Sequence, residues 1–185
     1  MTPVYVAAGS NVEPERNLAR ACEEIAKRWP GAIFSKAYRN KAVGFEGPDF
    51  LNMVVGFRTS EPIDDVIARL REIETICGRP RNAPKWASRG MDLDVLLFGA
   101  RIEKTAEYTL PRPDLLKRPY MLGPMAELAP QVMHPTANKS VGELWRDFDR
   151  GGHEMTPVSI VLPSGAGKGI PGEECSTKNA VPGKD

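Results

Sequence analysis

The chain has 185 residues, 41% of them hydrophobic and 26% charged, with a formal net charge of +1. That length suits one domain with a buried core rather than a disordered chain. The near-zero charge excludes a global basic field for DNA or RNA, so any basic site must be local.

In chain order, residues 3–8 (PVYVAA) read as a strand broken by Gly9-Ser10-Asn11. A helix is expected over 14–29: Pro14 suits its first turn, Leu18, Cys22, Ile25 and Trp29 form one apolar stripe, and Pro30 stops it. Residues 32–39 form the next strand and 40–48 a loop with two glycines and a proline. Residues 50–59 alternate as a strand, with Leu51, Met53, Val55 and Phe57 toward the helices and Phe50, Asn52 and Val54 on the other face. After Glu61-Pro62, Ile63, Val66, Ile67, Leu70, Ile73 and Ile76 recur at helical spacing, and Gly78 provides the stop.

Residues 78–90 (GRPRNAPKWASRG) form a loop with basic side chains and no acid, and 91–98 form a strand. Residues 100–113 are extended or loop, 119–128 a short helix, and 140–148 another, where Ser140 and Glu143 have capping-box spacing. A last strand is placed at 158–162. The order βαβ, then βαβ, predicts an α+β ferredoxin-like layered sandwich, a mainly antiparallel sheet with helices packed on it. One domain over 1–162 and a flexible tail over 163–185, rich in glycine, proline and small polar residues, are the expectation. The stretch Gly-Ala-Gly-Lys-Gly at 165–169 lacks the Ser or Thr that follows the lysine of a phosphate loop.

No apolar run approaches the roughly 20 residues that cross a bilayer, and residues 1–10 lack the basic start and long apolar stretch of a signal peptide. Cys22, Cys77 and Cys175 are far apart with no CxxC or Cys/His cluster, so neither a zinc site nor a disulfide framework is expected. A cytoplasmic location fits these features. His134 and His153 are read as structural or solvated rather than catalytic.

The chemistry concentrates at Asp92-Leu93-Asp94. In a strand the two aspartates point the same way, about 7 Å apart, and Leu93, Val95 and Leu97 point the other way, into the core. At that separation two carboxylates repel by about 2 kcal/mol at an effective dielectric near 20, a cost that a divalent cation relieves. Mg²⁺ takes one or two carboxylates and completes its shell with phosphate oxygens and water. The basic loop immediately before the pair supplies the phosphate-binding half of such a site. On another strand, Phe50 and Asn52 pair a ring with an amide, a combination suited to a flat heterocycle, and Trp86 in the basic loop is a further ring.

Residues 85–96 (KWASRGMDLDVL) resemble the signature of 6-hydroxymethyl-7,8-dihydropterin pyrophosphokinases: a charged residue, a small pair, Arg, two free positions, Asp-aliphatic-Asp and two aliphatics. The resemblance spans about residues 4–148 and includes Gly9-Ser10-Asn11, Tyr38-Arg39, the stretch from Pro48 to Asn52, Ile73-Glu74, Gly78-Arg79, Leu110-Pro111, Met121-Leu122 and Pro124. It implies an ATP- and Mg²⁺-dependent transferase of folate biosynthesis, with two Mg²⁺ ions held by Asp92 and Asp94, and catalytic roles for these two and for Arg79 and Arg89 at the phosphates. Glu74, Thr109, Arg112, Asp114 and Arg118 would lie near ATP, and Asn40, Val43, Phe50, Asn52, Trp86 and Tyr120 near the pterin. The glycine- and proline-rich loop of residues 79–90 would act as a lid. A monomer without nucleic-acid or membrane partners is the expectation.

Three departures from the family pattern involve four residues. Arg112 stands for a histidine that contacts ATP phosphate, Asn40-Lys41 for a Thr-Pro pair beside the pterin, and Gly90 for a frequent threonine. Arginine binds phosphate but does not carry protons near neutral pH. These departures leave as an alternative a non-catalytic pterin- or nucleotide-binding relative. A ferredoxin-like RNA-binding module is disfavoured because acids, not aromatics, occupy the key strand.

Overall fold

The computed structural model describes residues 1–41, 47–78 and 90–166. Residues 79–89 of the basic loop, the centre of the 40–48 loop and the end of the tail lie outside the described residues, and with them Val43, Arg79, Trp86 and Arg89.

Strand β1 (Thr2–Ser10) leads into α1 (Pro14–Arg28), then β2 (Ile33–Phe34), β3 (Ala37–Asn40), β4 (Phe50–Thr59), α2 (Ile63–Ile76) and β5 (Asp92–Phe98). A small hairpin of β6 (Glu103–Lys104) and β7 (Thr109–Leu110) follows, with a 3₁₀ turn (Pro113–Leu116), α3 (Pro119–Leu128), α4 (Val141–Arg146) and β8 (Thr156–Val158). The main sheet runs β5-β1-β4-β3-β8, with β2 also on β4, and its pairings are antiparallel. The βαβ-βαβ order with the two inner strands β1 and β4 is the expected ferredoxin-like arrangement.

Sequence patterning explains the layers. The stripe Leu18, Cys22 and Ile25 is fully buried, and Trp29 stacks on Phe57 with ring centroids 4.1 Å apart while its indole N–H donates to Glu61 Oε2 at 2.9 Å. Ile63, Val66, Leu70 and Ile73 of α2 join the same cluster with Leu51, Met53, Val55 and Phe57. Ile76 does not: it is exposed at the end of α2, while its neighbour Cys77 is the residue that enters the core. At α4 both reciprocal bonds of the Ser140/Glu143 capping box form. Burial pushes the Cys22 thiol up to about 12 and the Cys77 thiol to about 11, so both are inert core groups.

Four expectations change. The strand at 32–39 is split: Phe34 faces Val55 and Tyr38 faces Asn52, four steps against three, so one extra residue bulges at Ser35-Lys36. Val54, placed with Phe50 and Asn52 on the face of β4 turned away from the helices, is itself covered by a helix: it is buried beneath α3 with Leu122 and Met125. Leu97 does not follow Leu93 and Val95. The pairing of β1 with β5 slips between Tyr5 and Val6, leaving Leu96 as an extra residue, and beyond this bulge Leu97 turns to the α3 side and Phe98 to the α1 side. The last strand lies at Thr156–Val158 rather than 158–162, because its partner β3 begins at Ala37, opposite Val158. Ile160 and Ala166 still pack on the core beyond it.

His134 is buried, and its Nδ1 accepts from the backbone N–H of Thr136 (3.2 Å) and Ala137 (3.0 Å). Burial holds its pKa below the ordinary 6.5, and a proton on Nδ1 would confront two donors. The folded state therefore keeps His134 neutral while the unfolded chain takes up a proton near 6.5. Stability is expected to fall as pH drops below 6.5 toward the lower folded-state value. Urea unfolding at pH 7 and 5.5 should show a smaller loss for His134→Asn than for the native chain. Equal losses would remove this account.

Candidate active site

The sheet brings the sequence-predicted residues together by register. Gly9 of β1 pairs with Asp92 of β5 on one side and Asn52 of β4 on the other, and Ala7 pairs with Asp94 and Val54. At about 4.8 Å between strands, Asp92 and Asn52 stand about 10 Å apart across the floor that Gly9 provides. Phe50 is opposite Asn40 on β3. A cavity of about 190 Å³ is lined by Ala7, Gly9, Asn40, Lys41, Phe50, Asn52, Asp92, Asp94, Tyr120 and Met121. The first turn of α3 thus walls the end of the sheet that α3 leaves uncovered.

Gly9 is needed for steric reasons. A Cβ there would lie 2.7 Å from Asn52 Oδ1. The Asn52 amide lies over Gly9 and donates through Nδ2 to Asn40 Oδ1, which leaves its carbonyl oxygen and second N–H for another partner. Burial raises the pKa of the Tyr120 phenol, so at neutral pH it remains an uncharged ring.

The carboxylate pair is held from behind. Strand β5 is the sheet edge, and the Leu93 N–H between the two aspartates donates to Glu74 Oε1 of α2 at 2.9 Å. Ser10 Oγ donates to the Gly90 carbonyl at 2.6 Å, tying the end of β1 to a point two residues before β5 begins. On the outer side, Arg112 Nη1 lies 3.5 Å from Asp94 Oδ1, and Arg112 Nε lies 3.2 Å from Asp114 Oδ2. Among the described residues no group of three or more His, Cys, Asp or Glu side chains is arranged to hold a metal. A two-carboxylate site still fits Mg²⁺, which accepts phosphate and water as its remaining ligands.

Other expected residues fall around this centre. Arg118 and Tyr120 line an adjoining cavity of about 600 Å³ with Asn40, Lys41 and the segment 152–156. Thr109 lines a third cavity with Arg112 on the far side of the 3₁₀ turn, rather than the cavity between the strands. The floor residues Ala7 and Gly9 and the tie from Ser10 had no assigned role in the sequence reading. The signal was present as Gly9-Ser10 at a strand end, but its meaning depends on which strands lie alongside.

These features define a ferredoxin-like α+β protein with a small-molecule cleft at one sheet end and a carboxylate pair at its rim. The family model for 7,8-dihydro-6-hydroxymethylpterin-pyrophosphokinase (HPPK) matches residues 5–130. Curated proteins named 2-amino-4-hydroxy-6-hydroxymethyldihydropteridine pyrophosphokinase are similar. One from Aquifex aeolicus is 32% identical over 77% of this chain and 90% of its own, and one from Synechocystis is 36% identical over 78% and 75%. Among solved structures, an HPPK-DHPS in complex with substrates matches with a TM-score of 0.58 at 13% identity, over 78% of this chain and 43% of that one. Plasmodium falciparum HPPK-DHPS with STZ-DHP matches with a TM-score of 0.59 at 12% identity, over 78% and 41%. The chain therefore spans less than half the length of those two solved chains, and they bear on its fold alone. The chain belongs to the 7,8-dihydro-6-hydroxymethylpterin-pyrophosphokinase family.

The Gly9 contact can be checked without any ligand. Gly9→Ala is expected to cost about 1–3 kcal/mol through overpacking against Asn52. Asn52→Ala in the same chain should recover most of it, read as a coupling in a double-mutant cycle of urea unfolding. Additive effects would show that the two residues do not meet.

Proposed function

We propose that this chain transfers the pyrophosphoryl group of ATP to 6-hydroxymethyl-7,8-dihydropterin in folate biosynthesis, with Asp92 and Asp94 holding two Mg²⁺ ions. The observation that carries the reading is the single row Asp92, Gly9, Asn52 across three strands, which sets a cation-binding carboxylate beside a ring-binding amide. Family membership supplies the reaction class.

In this reading the pterin ring lies between Phe50 and Tyr120 and bonds the Asn52 amide, whose orientation Asn40 holds. Its hydroxymethyl oxygen attacks the β-phosphorus of ATP. The new bond is O–Pβ, the bond broken joins Pβ to the oxygen bridging it to Pα, and AMP leaves with that oxygen. The hydroxyl proton is released to solvent. Bound Mg²⁺ supplies neutralisation of phosphate charge. Asp92 and Asp94 set where that charge is neutralised, and Glu74 keeps their strand in place through Leu93. Arg79 and Arg89 are assigned to the phosphates, with Arg112, Asp114, Arg118 and Thr109 around the nucleotide and Val43 and Trp86 against the pterin. We assign the chain to the cytoplasm as a monomer; among the described residues no helix is long and apolar enough to cross a membrane.

The test is an AMP assay with MgATP and the pterin alcohol. Pterin-dependent AMP is the expected product, ADP would mean an ordinary kinase, and no nucleotide product would favour a binding-only protein. Asp92→Ala and Asp94→Ala should each reduce turnover at least 100-fold, on the order of removing a key electrostatic group, with unchanged thermal unfolding. Near-normal turnover in both variants would remove the cation role.

A further inference from the structure

Arg112 is built into the edge of β5. The Leu96 bulge turns a carbonyl outward, and the Arg112 backbone N–H donates to it at 2.9 Å. This docks the start of the 3₁₀ turn alongside the strand two residues from Asp94. Leu115, fully buried, anchors the same turn, and the Asp114 carbonyl accepts from Lys117 N (3.0 Å) and Arg118 N (2.9 Å). Between these fixed points the guanidinium reaches Asp94 with Nη1 and Asp114 with Nε. One of these carboxylates belongs to the proposed cation site and the other does not.

A guanidinium is permanently charged and directional. While no cation is present, it offsets part of the charge that Asp92 and Asp94 accumulate. A divalent cation arriving alone at Asp94 must compete with it. A cation arriving with a nucleotide brings phosphate oxygens, which give Nη1 a replacement partner while Nε keeps Asp114. The two situations differ in sign for the same side chain. We propose that Arg112 is a positioning residue that couples cation binding to nucleotide binding, disfavouring the bare ion at Asp94 and favouring the ion–nucleotide complex. The coupling is reciprocal, so the cation must also raise nucleotide affinity by the same factor. The inference rests on the reading that Asp92 and Asp94 hold the cation.

The experiment titrates the full chain with Mn²⁺ and follows the free-ion signal by electron paramagnetic resonance, without and with saturating α,β-methylene ATP. The native chain should bind Mn²⁺ weakly alone and more tightly with the analogue. Arg112→Gln should bind bare Mn²⁺ about fivefold more tightly, the scale of one half-exposed ion pair, and should gain correspondingly less from the analogue. Arg112→Ala should shift in the same direction, which guards against an effect peculiar to glutamine. Lys117→Gln, which removes a nearby charge that does not touch Asp94, should leave both affinities as in the native chain. Bare-ion affinity unchanged in both Arg112 variants, with Asp94→Asn still abolishing binding, would overturn the coupling role while leaving the cation site standing. An equal shift in Lys117→Gln would also overturn it, by reducing the effect to net charge. Native-like Mn²⁺ binding by Asp94→Asn, with and without the analogue, would overturn the cation site itself and the coupling with it.

Discussion

The double pairing of Gly9, to Asn52 on one side and Asp92 on the other, is the constraint on which the rest of the site depends. Alternation in strands puts all three on one face, and the missing Cβ lets the Asn52 amide lie over the β1 backbone. From that row outward, Asp94 and Phe50 follow two residues along their strands, Asn40 comes from β3, and Tyr120 closes the cleft from the first turn of α3. A slip of one residue in either ladder would turn the carboxylates or the amide to the opposite face, among the apolar side chains of α1 and α2.

The site carries like charges at a sheet edge, a place where strands are otherwise weakly held. Two features offset this. Glu74 accepts from the edge N–H of Leu93, so the strand segment bearing both aspartates is fastened to α2. Arg112 approaches from the other side and takes Asp94 and Asp114 together. Its position follows from the Leu96 bulge, which breaks the alternation of β5 and presents a carbonyl to the Arg112 N–H. The irregularity that misplaces Leu97 relative to strict alternation is thus the one that locates Arg112.

Much of this was legible in the chain. The stripe of α1, the alternation of β4 and the capping box of α4 are local patterns, each set by a helical or strand period and recovered in the structure. Asp-Leu-Asp with alternating strand periodicity placed both aspartates on one face of β5, and both line the cleft. The failures are equally specific. The bulges at Ser35-Lys36 and Leu96 and the start of β8 depend on a partner strand's length, which no local pattern encodes. The hydrogen bond from the Leu93 N–H to Glu74 was equally invisible in the sequence, because only tertiary packing brings α2 against that edge of β5.

By itself the sequence determined the α+β class, the helices and main strands, the pairing of Asp92 with Asp94 on one face, and through its motif the family. These depend on periodicity and on residue types at short range, where geometry is dictated by the backbone. Tertiary structure decided that Asn52 lies across Gly9 from Asp92, that α3 covers Val54 but leaves the cleft open, and that Arg112 joins Asp94 to Asp114. Those are relations between segments far apart in the chain. Strand register and the placing of a bulge are chosen by the joint burial of both partners, so neither segment holds the information alone.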